Sequence, residues 1–225
     1  MQYRIVDGIV QAVEVTLNKG EAMCTQSGGM AWMSDGLKLE SNVKGGLAKG
    51  FGRMFSGESL FLATYTAERQ DAVIAFAATV PGKILPVNVS EEGLICQKGA
   101  FLCAETSVEL KVAFTKKLSA GFFGGEGFIL QELSGSGTAF LEVDGGLYEK
   151  ELAPGEVLKV DTGNVFAFEK SVTYEIETIK GFKNMLFGGE GLFLTRLTGP
   201  GKVYLQTMNM SEFVGEIAKG IPSGK

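Results

Sequence analysis

The sequence predicts an all-β fold made of three similar units in tandem, followed by a short helix. Three observations lead to this prediction. A nine-residue pattern recurs three times, apolar and polar residues alternate in short runs, and the 225 residues include 32 glycines but only 5 prolines. Glycine costs about 1 kcal/mol relative to alanine inside a helix, whereas it fits turns between short strands. With 45% hydrophobic and 21% charged residues, the chain has the composition of a folded globular protein.

The recurring pattern is Phe-x-Gly-Glu-x followed by three large apolar residues. Its copies read MFSGESLFL from Met54, FFGGEGFIL from Phe122 and LFGGEGLFL from Leu186. A pattern of this length at nearly constant spacing indicates an internal repeat. The glycine and glutamate residues at its centre are Gly57, Glu58, Gly125, Glu126, Gly189 and Glu190. We interpret them as a tight turn whose glutamate caps backbone amides or pairs with basic residues. A ring of carboxylates that binds a cation is the alternative.

A second, weaker feature supports the same repeat. Glycine-containing turns at Gly20, Gly99 and Gly155 each precede a predicted strand. Together the two features predict three β units at 1–70, 71–135 and 136–208, followed by a C-terminal helix and tail at 209–225.

The strands are predicted from alternation, as in Val13, Val15 and Leu17, which are separated by polar residues. Apolar runs on either side of the turns 134–137 and 198–201 predict two hairpins. Short strands at regular spacing are typical of sandwich-like, jelly-roll-like or barrel-like units. The sequence Asn209-Met210-Ser211-Glu212 predicts a capped helix with Phe213 and Ile217 on one face.

Units of this size bury little core alone, so three are expected to pack side by side. The sheet edges left on the outer units favour further pairing, and closure into a symmetric ring removes such edges. Homo-oligomerisation is therefore expected.

The chain resembles an uncharacterised bacterial family related to the "altered inheritance of mitochondria" proteins. The resemblance covers essentially the whole chain and lies in the repeated pattern, in Lys44-Gly45-Gly46-Leu47 and in the closing segment 211–222. It implies units similar to the subunit of the tryptophan RNA-binding attenuation protein, a short double-stranded β-helix, and three chains closing into a ring of nine units. It implies no assigned activity, and no residue matches the RNA or tryptophan site of that protein.

Enzymatic chemistry is not expected. The chain contains no histidine, which removes the usual general base and the commonest imidazole ligand of metals. Cys24, Cys96 and Cys103 are too few and too irregularly spaced for a zinc site and are interpreted as buried apolar residues. No catalytic, cofactor-binding or metal-binding residue is predicted. An enzyme that uses carboxylates alone is a remaining alternative without a paired acidic motif. Trp32 is interpreted as a core residue, with a small-molecule pocket as the alternative.

Basic, phenylalanine-rich stretches precede each copy of the repeated pattern. Their residues form the predicted contact surface: Lys44, Lys49, Phe51, Arg53, Lys116, Lys117, Phe122, Lys180, Phe182 and Lys183. On one face of a ring they would contact an anionic membrane or a protein. Alternatively, the phenylalanines lie in the core or in a subunit interface and the lysines are merely solvated.

The remaining expectations concern location and other partners. No apolar stretch approaches the ~20 residues that span a bilayer, and the N-terminal residues lack a cleavable apolar segment, so a cytoplasmic protein is expected. The net charge of −5 disfavours nucleic acid as a partner. Binding of nucleic acid or a small molecule, by analogy with the attenuation protein, is the alternative function.

Overall fold

The computed structural model describes residues 1–26, 29–41, 63–90, 92–116, 128–178 and 193–220. Within these ranges the chain forms nineteen strands in four sheets and one α-helix. The predicted all-β class and the short C-terminal helix are confirmed.

The strands pair antiparallel throughout the four sheets. The first sheet has the order β1-β2-β7-β4, formed by Gln2–Val6, Ala12–Leu17, Ala72–Ala77 and Met30–Met33. The second has the order β5-β6-β3-β10-β13-β8, formed by Leu37–Ser41, Ala63–Ala67, Ala22–Thr25, Phe101–Glu105, Gly137–Asp144 and Gly82–Val89. The third has the order β11-β12-β9-β16-β19-β14, formed by Val108–Lys116, Phe128–Gly135, Leu94–Gln97, Val165–Glu169, Gly201–Gln206 and Leu147–Leu152. The fourth has the order β15-β18-β17, formed by Val157–Asp161, Phe193–Thr198 and Thr173–Thr178.

One shift of six strands relates these sheets. The third sheet has the order of the second with every strand number raised by six. The same shift relates β2, β7 and β4 of the first sheet to β8, β13 and β10, and it relates β9, β12 and β11 to β15, β18 and β17 of the fourth. We call strands related in this way counterparts. At the middle of the two six-stranded sheets, β3 pairs with β10 and β9 pairs with β16, and we call these the two central pairs.

The core lies between consecutive sheets. Phe76 of the first sheet packs in one cluster with Met23 of the second, and Leu141 of the second packs in another with Leu133 of the third. A third cluster joins the third sheet to the fourth. The alternating strands therefore bury one face against each neighbouring layer.

The predicted hairpins at 134–137 and 198–201 are wrong. β12 and β13 flank the first of these turns but belong to the third and second sheets, and β18 and β19 likewise belong to the fourth and third. The turn reverses the chain as expected, but each strand finds its hydrogen-bonding partners elsewhere. The two strands therefore face each other across the core.

All three predicted glycine turns precede a strand, but only two of them precede strands that are counterparts. Gly20 and Gly155 adopt φ of +90° and +77° before β3 and β15, a conformation that L side chains rarely adopt. Gly99 lies in a 3-10 turn between β9 and β10 and precedes β10, which is not a counterpart of β3 and β15. Gly93, with φ of +76°, precedes β9, which is their counterpart.

The helix α1 spans Met210–Lys219 and begins as predicted. The Asn209 side chain accepts hydrogen bonds from the backbone amides of Ser211 and Glu212, and Gly220 ends the helix. Within the described residues, no helix is both long enough and apolar enough to cross a membrane.

Candidate assembly interface

The first central pair joins strands that are distant in the chain. Cys103 of β10 lies opposite Thr25 of β3, and Ala104 lies opposite Cys24. The Thr25 hydroxyl donates a hydrogen bond of 2.6 Å to the carbonyl of Leu102, where a register shift interrupts the pairing of β10 with β13. The side chain thus satisfies a backbone group at the irregularity.

The second central pair repeats this arrangement with different side chains. Ala167 of β16 lies opposite Cys96 of β9, and the pairing of β16 with β19 shifts register at the corresponding place. Here the amide of Gln97 donates hydrogen bonds to the carbonyls of Val165 and Thr162. Both central pairs are therefore held by ladder bonds and by a side-chain donor.

All three cysteines lie in the central pairs. Cys24, Cys96 and Cys103 are buried and free, which confirms their interpretation as apolar residues. Burial raises the pKa of Cys24 and of Cys96 to about 12 and raises the pKa of Cys103 well above its ordinary value. Burial therefore disfavours the thiolate, which is the nucleophilic form of cysteine, at all three positions.

Two sheet edges are the counterparts of strands in the central pairs. β4 ends the first sheet, whereas its counterparts β10 and β16 have neighbours on both sides. β15 ends the fourth sheet, whereas its counterparts β3 and β9 are likewise paired on both sides. Each of these open edges lacks the neighbour that the six-strand shift assigns to it.

The side chains of these edge strands are more exposed than those of their counterparts in the central pairs. Trp32 and Met33 of β4 are 44% and 42% exposed, whereas their counterparts Cys103 and Ala104 are wholly buried. On β15, Val157 is 40% exposed. On β4, two large apolar side chains therefore lie exposed at an edge whose counterpart positions in β10 are buried.

The interpretation of Trp32 as a core residue is wrong. Its indole NH lies 3.4 Å from a carboxylate oxygen of Glu14, whose other oxygen accepts a 2.7 Å hydrogen bond from Arg4. These bonds lower the pKa of Glu14, with the Arg4 bond as the main cause. Trp32 is exposed because β4 has a neighbour on one side only, which the local sequence does not reveal.

The predicted contact surface lies outside the described residues except for Lys116, the last residue of β11. The six glycine and glutamate residues of the repeated pattern also lie outside them. These residues belong to the segments 42–62, 117–127 and 179–192, which connect β5 to β6, β11 to β12 and β17 to β18. The three strand pairs are counterparts of one another.

An open cleft of about 650 Å³ lies beside β17, lined by Phe114, Val172, Thr173, Tyr174, Glu175 and Ile176. The rings of Phe114 and Tyr174 meet edge to face with centroids 5.4 Å apart. The carboxylate of Glu175 and the hydroxyls of Thr173 and Tyr174 accompany these apolar walls. The sequence did not single out this cleft, because its walls come from two strands of different sheets.

The polar chemistry of the described part of the chain is sparse. Within it, no three cysteine, aspartate or glutamate side chains gather as metal ligands. Gln131 of β12 is fully buried opposite Cys96 and Val112, and neither atom of its amide has a hydrogen-bond partner among the described residues.

Comparison with known proteins agrees with this architecture. A family model described as "Mitochondrial biogenesis AIM24" matches residues 3–208. An uncharacterised protein of Streptococcus pyogenes serotype M6 is 29% identical over 219 residues, covering 94% of this chain and 87% of that protein. A crystal structure of a protein from Streptococcus pyogenes superposes with a TM-score of 0.80 at 26% identity, covering 98% of this chain and 99% of the other. The chain therefore belongs to the Mitochondrial biogenesis AIM24 family.

Proposed function

We propose that this protein is a non-enzymatic assembly module, of which three copies join head to tail into a ring through β15 of one copy and β4 of the next. The observation that carries the proposal is that each open edge is the counterpart of one strand of the central pairs. β15 is the counterpart of β3 and β9, and β4 is the counterpart of β10 and β16. Joining them between copies forms a third pair of the same kind as the two central pairs.

The proposal treats the chain as three tandem units of six strands, at 12–77, 82–144 and 147–206. These limits assign β7 to the first unit and β13 to the second, since each pairs within its own unit. All three begin later than the units predicted at 1–70, 71–135 and 136–208, and the first two also end later, because the strand that follows the turn at 134–137, or its counterpart, pairs with the strands before it.

The central pairs define the register of the proposed joint. Cys103 and Ala167 occupy the same place relative to the register shift of their strands, as does Trp32 in β4. Thr25 and Cys96, their partners, correspond to Val160 of β15. Each of the three lies opposite an equivalent residue of the strand on its other side, which is Ala63 for Thr25, Gln131 for Cys96 and Thr195 for Val160. This arrangement places Trp32 opposite Val160 and Met33 opposite Lys159 of the next copy.

A closed ring is compatible with this type of contact. The two edges are different surfaces, so their pairing is head to tail, and such contacts form rings where the rotation closes. A ring leaves neither edge open to uncontrolled pairing. The family resemblance supports three copies, which gives nine units in all.

The contact surface of the ring remains our proposal as well. The basic, phenylalanine-rich segments connect strand pairs that are counterparts, so the strand ends to which they are joined are equivalent in the three proposed units. An anionic membrane is the partner that their lysines and phenylalanines favour. Vesicles with and without phosphatidylserine test this: binding that requires the anionic lipid and weakens in Lys180→Glu/Lys183→Glu supports it, and binding indifferent to lipid charge overturns it.

The assembly is tested by native mass spectrometry at micromolar concentration, where a trimer is expected and a persistent monomer would overturn the proposal. Two substitutions that change the charge at the proposed joint test whether β4 and β15 form it. Met33→Lys places a second cation opposite Lys159 of the next copy and is expected to dissociate the ring. Adding Lys159→Glu, which gives up the 2.7 Å ion pair of Lys159 with Glu177 but lies opposite Arg196 in its own sheet, is expected to restore it.

Both positions lie at the surface of the single chain, so neither substitution is expected to unfold it. Lys38→Glu, in the exposed edge strand β5, is the matched control and should leave the trimer intact. A trimer that survives Met33→Lys would show that β4 and β15 are not the joint.

A further inference from the structure

The strand β1 covers a sheet edge and has no counterpart under the six-strand shift. It pairs antiparallel with β2, whereas β8 and β14, the counterparts of β2, are end strands of the second and third sheets. Arg4 of β1 lies opposite Glu14 of β2 and donates a hydrogen bond of 2.7 Å to its carboxylate. The protein itself therefore shows which kind of segment binds an edge of this type.

The position of Glu14 is found again on β8 and β14. The residues opposite Trp32, Cys103 and Ala167 are equivalent, and they are Ala75, Phe140 and Tyr204. On their other side these three lie opposite Glu14, Pro86 and Glu149, respectively. Pro86 has no backbone NH, and a proline in an edge strand disfavours the addition of another strand. Of the two uncovered edges, only β14 therefore keeps a glutamate at the position that holds β1 on β2.

The edge of β14 is exposed, and within the described residues no strand pairs with it on this side. Tyr148 is 53% exposed, and the side chain of Glu149 is 45% exposed. One carboxylate oxygen of Glu149 lies 3.3 Å from the ammonium group of Lys202 in the neighbouring strand. Glu14 accepts hydrogen bonds from two side chains at once, so a glutamate at this position can also hold a second donor from an added strand.

A second copy of β14 does not fit this edge. Two copies that pair antiparallel about a twofold axis keep each residue on its own face of the sheet, so only residues an even number of positions apart lie opposite each other. In the two registers that pair most of the strand, Glu149 lies opposite Glu149 or Glu151 of the other copy. Like charges directly opposite each other destabilise a strand pair. The occupant is therefore a different segment, with a positive charge opposite Glu149.

We infer that the edge of β14 binds an extended segment of a partner protein, which joins the third sheet as an antiparallel strand with an arginine or lysine opposite Glu149. In this mode of recognition, main-chain hydrogen bonds provide affinity and alternate side chains provide specificity. β14 takes no part in the joint between β15 and β4, so the inference is independent of the proposed ring.

The pairing of β1 with β2 also predicts the neighbours of this cation. The residues on either side of Arg4 are an aromatic and an aliphatic residue, and they lie opposite Val15 and Val13. The counterparts of these valines are Lys150 and Tyr148. A tyrosine opposite Lys150 offers its ring to the ammonium group, and an isoleucine opposite Tyr148 forms an aromatic and β-branched pair. The expected partner segment therefore has an aromatic residue, a cation and an aliphatic residue in succession.

The test uses the complete protein and a fluorescein-labelled peptide with the sequence of residues 1–7, whose binding is followed by fluorescence anisotropy. Saturable binding is expected, with a dissociation constant below about 1 mM. Glu149→Arg is expected to weaken it at least tenfold. Glu40→Arg, on the edge strand β5, is the matched control and should leave it unchanged. A second peptide, in which glutamate replaces the arginine, is expected to prefer the Glu149→Arg variant over the native protein.

Backbone methylation separates strand addition from a contact of side chains alone. Successive amides of a strand point to opposite sides, so only every second amide of the peptide faces β14. Two peptides are methylated at alternate amides, one at the even and one at the odd positions. One is expected to bind like the unmodified peptide and the other at least tenfold more weakly.

Three results would overturn the inference. They are equal affinity of the two methylated peptides, binding that Glu149→Arg leaves unchanged because the peptide occupies another edge, and no binding at about 1 mM peptide. A protein that binds the peptide as a monomer in native mass spectrometry would overturn the ring and leave this inference standing.

Discussion

Thr25 and Leu102 are 77 positions apart in the chain, yet the Thr25 hydroxyl donates a 2.6 Å hydrogen bond to the Leu102 carbonyl inside the first central pair. Thr25→Val keeps the shape of the side chain and leaves this carbonyl without its donor. We expect the free energy of unfolding to fall by about 1–3 kcal/mol. Urea titration measures it, with Thr16→Val on a half-buried position of β2 as the control. Equal effects at both positions would mean that the hydrogen bond contributes nothing specific.

The thiols provide a probe of the same pairs. With pKa values of about 12 for Cys24 and Cys96, roughly one thiol in ten thousand is ionised at pH 8. All three cysteines are therefore expected to resist iodoacetamide in the folded protein and to react in denaturant. Mass spectrometry after pulsed labelling measures this. Labelling of Cys96 ahead of Cys24 and Cys103 would show that the second central pair opens first, and rapid labelling of all three in buffer would contradict the burial described here.

The unpaired amide of Gln131 predicts a stabilising substitution. Gln131→Leu removes two buried polar atoms that lack partners and places an alkyl group opposite Cys96 and Val112, so the free energy of unfolding is expected to rise by about 1–3 kcal/mol. Thr195 is its counterpart in β18 and donates to Thr162 at 3.1 Å. Thr195→Val is accordingly expected to destabilise. Thermal unfolding of both variants decides the matter, and a destabilised Gln131→Leu would show that the amide has a partner in solution.

Glu142 predicts a pH dependence of defined sign. Burial raises its pKa above 4.5, although its carboxylate accepts a 2.6 Å hydrogen bond from the Thr79 amide. The folded state therefore holds this proton more tightly than the unfolded state. Stability from this group is present below about pH 4.5 and is lost as pH rises through the raised pKa. Glu142→Gln removes this loss, so the variant should gain relative to the native protein as pH rises.

Glu21 gives the contrasting case for that measurement. Its pKa is lowered, chiefly by the hydrogen bond from the N-terminal amine of Met1, and also by one from the Asn18 amide. Its contribution is present above pH 4.5 and is lost on acidification, so Glu21→Gln should lose stability relative to the native protein as pH rises toward neutrality. Parallel pH profiles for the two variants would refute both assignments.

The register of the proposed joint gives a prediction of its own. In Met33→Cys/Lys159→Cys the two new thiols lie opposite each other between copies, at the distance of a cross-strand pair. Mild oxidation is expected to yield chains linked into covalent trimers on a denaturing gel. Met33→Cys/Val157→Cys, two residues out of register, is the control. Preferential cross-linking of the control would mean that the edges pair in another register.

Several elements of the fold were predictable from local sequence. The alternation of Val13, Val15 and Leu17 identified β2, and the Asn209 cap identified α1. The cysteines were recognised as buried from their apolar neighbours. Periodicity and capping are local properties, so a single stretch of sequence contains the information.

Pairing between strands was not predictable in the same way. β12 and β13 show the apolar runs and the glycine turn of a hairpin, but both faces of each strand meet protein, and β12 pairs with β11 and β9 whereas β13 pairs with β10 and β8. For the same reason Trp32 appeared to be a core residue. Whether a strand is central or at an edge depends on distant segments, and the open edges of β4 and β15 therefore emerge only from the sheet order.

The six-strand shift also determines how the order of strands along the chain relates to the order of strands in the sheets. In the proposed division of the chain, the covalent and the hydrogen-bonded connections are offset by half a unit, since each six-stranded sheet takes three strands from one proposed unit and three from the next. A single peptide bond cut between units would leave the fragments bound through a shared sheet and a shared core. The cohesion of the folded protein thus depends on the sheets and the core that successive proposed units share, more than on the backbone that links these units.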